Sequence, residues 1–213
     1  MSGPVWQSVC ATGHRPQHLS LQEQEWVRGE LPRIAARLRD EHGMTRGLSG
    51  MAAGVDLWWA AALVDAGVEL VAHIPFPQQP DMWQHTPELQ CEWQRLAGLA
   101  SWQVRYGDLA GLAGEARRRQ AVALLHQRND GMLAAAHAVV AVWKPARAGS
   151  GTASTVRKAR QRGLPVIHLN PGLRRVSLLA PEQDVRNSLQ THYGKFVSPS
   201  LLEKWQNDPR QAP

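Results

Sequence analysis

The sequence predicts an α/β protein: a three-layer sandwich whose mostly parallel central sheet carries helices on both faces. Three observations lead there. Short apolar, β-branched runs alternate with longer helical segments along most of the chain. Several of those runs are continuous rather than alternating, as strands covered on both faces require. Small-residue loops then join strand ends to helix starts. The clearest unit spans 137–170, HAVVAVWKPARAGSGTASTVRKARQRGLPVIHLN. Residues 138–143 read as a buried strand, 144–151 as a loop closing on Gly149, Ser150 and Gly151, and 152–161 as a helix. Arg162 and Gly163 stop it, and 164–169 form the next strand. This is one right-handed crossover, and its glycine turn delivers free N–H groups of a helix N-terminus to a strand's carboxyl end, a geometry that favours phosphate.

The other elements follow in order. Residues 5–11 form the first strand, running into Thr12, Gly13, His14, Arg15 and Pro16. Gly13 permits close backbone approach and Arg15 sets a guanidinium beside it. Residues 19–42 read as a helix with Ser20 as its cap and an apolar stripe through Trp26, Leu31, Ile34, Ala35 and Leu38; Pro32 is expected to bend or divide it. A very short strand at 46–48 leads into Ser49, Gly50 and the rest of SGMAAGVD, then a helix over 57–66. Asp56 falls in that helix's first turn, as a loop organiser or an acceptor for a ribose hydroxyl. Trp58 and Trp59 diverge by about 100° on a helix, so they cannot share one core.

The third strand is expected at 69–76, followed by a proline-rich loop in which Phe76, Gln79 and Trp83 either wall a base or ribose pocket or staple the loop to the core. A helix at 86–99, a strand at 102–106 and a helix at 115–136, with a possible break near 129–131, complete the series. Arg128 and Asn129 lie in that last helix. Beyond Gly172 the periodicity weakens; 184–190 and 200–206 suit short helices. The natural division is one domain over 1–172 and a C-terminal extension over 173–213.

Composition narrows the function classes. The 213 residues suffice for one full core. Formal net charge is +6, with arginine in runs at 117–119, 157–162 and 174–175, as suits acidic partners or simply a solvated basic surface. Two isolated cysteines, Cys10 and Cys91, make no disulfide framework and fit a reducing cytoplasm. The N-terminus lacks a basic, apolar leader pattern and no stretch reaches membrane-spanning length, so neither export nor a membrane is expected. The nine histidines are scattered, and His14 and His18 straddle Pro16, so no metal site is expected. A complete P-loop, the spaced-glycine dinucleotide fingerprint and a nucleophile elbow are all absent. Acids near the loops reduce to Asp56, with Asp81 and Asp130 behind it, thin provision for hydrolysis.

Five segments in order resemble the SLOG superfamily, the Rossmann-like group of the DNA-processing protein and the Lonely-Guy phosphoribohydrolases, and within it the YpsA/YoqJ-like family. They are Thr12 to Pro16, SGMAAGVD, Pro75-Phe76 with Gln79 and Trp83, Arg128-Asn129 with Met132, and AVW followed by GSGTASTVRKA. The resemblance implies a Rossmann-like sheet with a nucleotide pocket over its carboxyl ends. Thr12, Gly13, His14, Arg15, Ser49, Gly50, Gly54, Asp56, Gln79, Trp83, Arg128, Asn129, Trp143, Gly149, Ser150, Gly151 and Thr152 are the expected ligand-binding set. The Lonely-Guy catalytic glutamate, three residues after the Gly-Thr pair, is Thr155 here, which argues against that reaction. The expectation is a module holding a nucleotide or ADP-ribose-like ligand, with no resident cofactor established. The alternatives are a phosphoribohydrolase-type enzyme with Asp56 as its acid/base, or a single-stranded nucleic-acid binder. A homo-oligomer is compatible with the sequence but not required by it.

Overall fold

The computed structural model describes residues 5–83, 85–144 and 151–181. Its core is a seven-stranded sheet made of β1 (Ser8–Gly13), β2 (Arg46–Ser49), β3 (Glu69–Ile74), β4 (Trp102–Arg105), β5 (Ala138–Val142), β6 (Val166–Asn170) and β7 (Arg175–Leu179). The order across the sheet is β4-β3-β2-β1-β5-β6-β7. Every pairing is parallel except β6 with β7. Five helices connect the parallel strands: α1 (Leu21–His42), α2 (Val55–Asp65), α3 (Pro87–Leu99), α4 (Gly114–Ala135) and α5 (Gly151–Gln161).

The chain walks outward from β1 to β4, then returns across the sheet to β5 and moves the other way. Right-handed crossovers therefore put α1, α2 and α3 on one face and α4 and α5 on the other. Strand alternation shows the two layers. Val9, Ala11, Val140 and Val142 pack with Leu31, Trp59 and Leu96, whereas Cys10, Val139 and Ala141 pack with Met132, Leu133, Val156 and Ala159. The reversal makes a topological switch point between β1 and β5, and a crevice there, outside the carboxyl ends, is where open α/β sheets take ligands.

Four expectations need correction. Pro32 does not divide α1, which runs unbroken over 22 residues; Pro32 is exposed, and the buried stripe of Val27, Leu31, Ile34, Ala35 and Leu38 holds the helix together. Helix α4 is likewise continuous through Gly131. A Cβ at Gly131 would collide with the Tyr106 hydroxyl, so this glycine serves close packing, not a break. The third strand ends at Ile74, leaving Phe76 to open the next loop. Finally, β7 was not anticipated: its residues are mostly half-buried or exposed, so it has little of the apolar signal that marks the inner strands. The helices expected at 184–190 and 200–206 lie outside the described residues.

Candidate functional site

The candidate site lies where the loops after β1 and β2 meet the carboxyl end of β5 at Val142 and Lys144. Gly13 is the last residue of β1 and pairs with Val142 of β5. A side chain there would fall within 2.5 Å of Val55, the first residue of α2, so the absence of a Cβ lets α2 seat against the strand end. The His14 N–H donates to the Val142 carbonyl at 3.2 Å, and His14 Nε2 accepts the Lys144 N–H at 3.0 Å. Lys144 Nζ then reaches both carboxylate oxygens of Glu23 at 3.1 Å. Partial burial works against it, yet the Ser20 N–H and the Lys144 ammonium hold the Glu23 carboxyl below its usual range. The cap of α1 is thereby tied to the switch point.

The β2 loop is built from the inside. Ser49 Oγ donates to the Asp56 carbonyl at 2.7 Å and accepts the Met51 N–H at 3.1 Å. Gln79 is fully buried: its Nε2 donates to the Gly50 carbonyl at 3.2 Å and its Oε1 accepts from Trp93 Nε1 at 3.3 Å. Both side chains therefore brace the loop. Gly54 adopts φ +92°, and a Cβ there would lie 2.8 Å from Pro16 Cδ and 3.0 Å from the His14 carbonyl, so the first two loops touch at this glycine. Met51 also has a positive φ, 54°, which marks the loop as strained.

Asp56 and Arg128 form the electrostatic centre. Arg128 Nη1 donates to Asp56 Oδ2 at 2.9 Å, with side-chain exposures of only 6% and 10%. The guanidinium lies so close over Gly50 that a Cβ there would overlap it. Arg15 is half-buried nearby; burial lowers its pKa from the ordinary value, the Asp56 carboxylate opposes that, and Arg128 adds to it. Arg128 thus holds the carboxylate directly, and Arg15 feels the charge of both. Among the described residues Arg128 Nε is buried without an acceptor, and so is Nε1 of Trp143, whose ring tilts against His168 at 5.3 Å. Unpaired buried donors are costly. Trp143 also accepts a hydrogen bond from His168 Nε2 through its carbonyl, at 2.8 Å if that nitrogen is protonated.

Two residues of this cluster escaped the sequence reading. His73 Nδ1 and the Tyr106 hydroxyl lie 2.6 Å apart. Burial and then Arg128 push the His73 pKa down to about 4, so its ring is neutral at neutral pH. Burial raises the Tyr106 pKa, with Arg128 acting against it. The available signal was a histidine inside the otherwise apolar core run of β3.

No protein-family model and no curated protein matches the chain. Solved structures do. DNA processing protein A from Streptococcus pneumoniae superposes with a TM-score of 0.52 at 18% identity, covering 78% of this chain and 50% of that one. The chain has the Rossmann-like fold of DNA processing protein A. It spans half the length of the Streptococcus protein. The Helicobacter pylori protein of the same name, described for its single-stranded DNA binding mode, gives a TM-score of 0.50 at 13% identity over 97% of this chain and 80% of its own. The molybdenum cofactor carrier protein of Chlamydomonas reinhardtii gives 0.44 at 15% identity, over 76% of this chain and 74% of its own.

The remaining expected residues distribute as follows. Thr12 is buried at the end of β1, paired with Ala141. Thr152 is buried in the first turn of α5, and Gly151 is exposed at its start. Asn129 is half-buried on α4 beside Arg128. Trp83 is half-buried at the end of the short turn over Gln79–Trp83. Phe76 turns away from Gln79 and packs with Leu109 and Leu124. Gly149 and Ser150 lie outside the described residues. Thr155 Oγ1 donates to the Gly151 carbonyl one turn back, at 3.0 Å. Among the described residues no three His, Cys, Asp or Glu side chains come together as metal ligands, and no helix is long and apolar enough to cross a membrane.

Proposed function

We propose that this protein is a SLOG-type module that binds a nucleotide or nucleotide-derived ligand at the carboxyl ends of β1, β2 and β5. The observation that carries the reading is the excess of cationic donors at the switch point. Arg128 binds the single carboxylate of Asp56, Arg15 lies within electrostatic reach of both, and among the described residues the buried Arg128 Nε and Trp143 Nε1 have no acceptor. An anion with several oxygens, such as a phosphate ester, supplies both the missing charge and the missing acceptors. Holding is favoured over turnover because Asp56 is engaged by Arg128 and Thr155 by its own helix. Calorimetry against nucleotides, ADP-ribose derivatives and cyclic oligonucleotides tests the proposal: at least one should bind, and Arg15→Ala should weaken it at least tenfold with little change in melting temperature. Silence across the panel defeats it. Release of free base from a nucleotide, abolished by Asp56→Asn in a folded protein, would replace holding by phosphoribohydrolase-type catalysis.

A second reading is single-stranded nucleic-acid binding, supported by the likeness to the Helicobacter protein and by the exposed arginines Arg118, Arg157 and Arg162. It requires an affinity for oligonucleotides that falls steeply with salt.

A further inference from the structure

Away from the switch point, at the β3–β4 end of the same sheet edge, lies a cleft of about 450 Å³, within the range of small-molecule sites. Its floor is apolar: Phe76 and Leu109 are buried there beside Ala121. Met82, 55% exposed, stands at the mouth. Arg117 and Arg118, from the first turns of α4, line the same cleft with Asp81 as the one carboxylate. The walls are braced by hydrogen bonds of the lining residues themselves. Gln78 Oε1 accepts the Leu109 N–H at 3.2 Å while its Nε2 donates to Asp108 at 2.8 Å, and Arg117 Nη1 donates to the Leu109 carbonyl at 3.1 Å. These bonds pin the 107–113 connector beside Phe76. Arg118 forms no ion pair among the described residues.

We propose that this cleft is a second ligand site, selective for a planar apolar ring that carries a negative charge. The floor of Phe76, Leu109 and Ala121 buries a ring face, polarizable Met82 closes over its edge, and Arg118 takes the anionic group. The residues lining the cleft include none of Arg15, Asp56 and Arg128, so it is a neighbour of that site, adjoining it through Tyr106, which packs on the Phe76–Leu124 cluster and lies 2.6 Å from His73. The inference therefore stands whether or not the first site binds a nucleotide.

The experiment uses the full chain carrying Arg15→Ala, which disables the first site, and 1-naphthyl phosphate as probe, read by calorimetry. Saturable binding is expected, weakened at least tenfold by adding Arg118→Glu or by adding Ala121→Trp, which fills the floor. Uncharged 1-naphthol should bind at least tenfold more weakly than the phosphate. Binding indifferent to Arg118→Glu, equal affinity for naphthol, or no saturation by 1-naphthyl phosphate in the millimolar range overturns the proposal. Arg118 is exposed, so its substitution tests the idea even if Ala121→Trp unfolds the chain. A nucleotide bound by the wild type and lost with Arg15→Ala reports on the first site alone.

Discussion

At the scale of single residues, the buried Asp56–Arg128 pair bears on stability directly and on recognition through the proposed function. Removing one partner of a buried pair leaves an uncompensated charge and costs about 3–5 kcal/mol. Asp56→Leu should therefore lower unfolding free energy by that order in urea titrations. Gly50→Ala should act through the same pair, because its Cβ would overlap the Arg128 guanidinium and lie 2.7 Å from Asp56 Oδ2. His73 makes a different prediction. Its folded pKa of about 4 lies below the ordinary 6.5, so the unfolded chain binds the extra proton between those values. The neutral ring's contribution is complete above pH 6.5 and is lost as pH falls toward 4. Urea midpoints measured across that window should fall less steeply in His73→Gln than in the wild type. Arg128 and Tyr106 act on this ring, the one through its charge and the other at 2.6 Å.

At the scale of elements, α1 begins with a complete capping box: Ser20 accepts the Glu23 N–H and Glu23 accepts the Ser20 N–H. Ser20→Ala should cost about 1 kcal/mol, and it should also loosen the Glu23–Lys144 tie to the switch point. Helix α2 shows why adjacent tryptophans behave differently. Trp59 is fully buried in the core, whereas Trp58 is half-buried with the Arg28 guanidinium 4.7 Å above its ring. Trp59→Ala should cost about 3–5 kcal/mol, and Trp58→Ala about 1 kcal/mol, the order of an exposed cation–π contact plus partial burial. Equal losses in chemical denaturation would show that Trp58 is as much a core residue as its neighbour.

At the scale of the whole molecule, the sheet ends on one antiparallel strand. β7 pairs with β6 from Asn170↔Arg175 to Val166↔Leu179, so residues 175–179 contribute directly to the sheet. A chain ending at Gly172 would bare the β6 edge, an unpaired ladder that invites association. It should melt lower and self-associate more than the full chain, as light scattering would record. Much of the domain was legible beforehand. Apolar runs and caps marked six of the seven strands and all five helices, because periodicity and capping are local properties. The site was legible in part: the small-residue loops were visible, and so was the Thr155 departure. That Ser49 and Gln79 face inward to brace the β2 loop was not visible, since either side chain suits a pocket wall equally well on sequence grounds.

By itself, the sequence determined the six parallel strands and the five helices, where the tight loops fall, and that the chain is basic enough to suit an anion. Only the tertiary structure decided which charges meet. Asp56 and Arg128 are 72 residues apart, and β3 and α4 bring His73 within reach of Arg128 across a shorter but still long gap. Those meetings depend on the return of α4 across the opposite face of the sheet, a consequence of crossover handedness and strand order that no local pattern records. The stretch at 137–170 is one wall of the proposed site through β5, Trp143 and α5; the charge of that site comes from the loops after β1 and β2 and from α4.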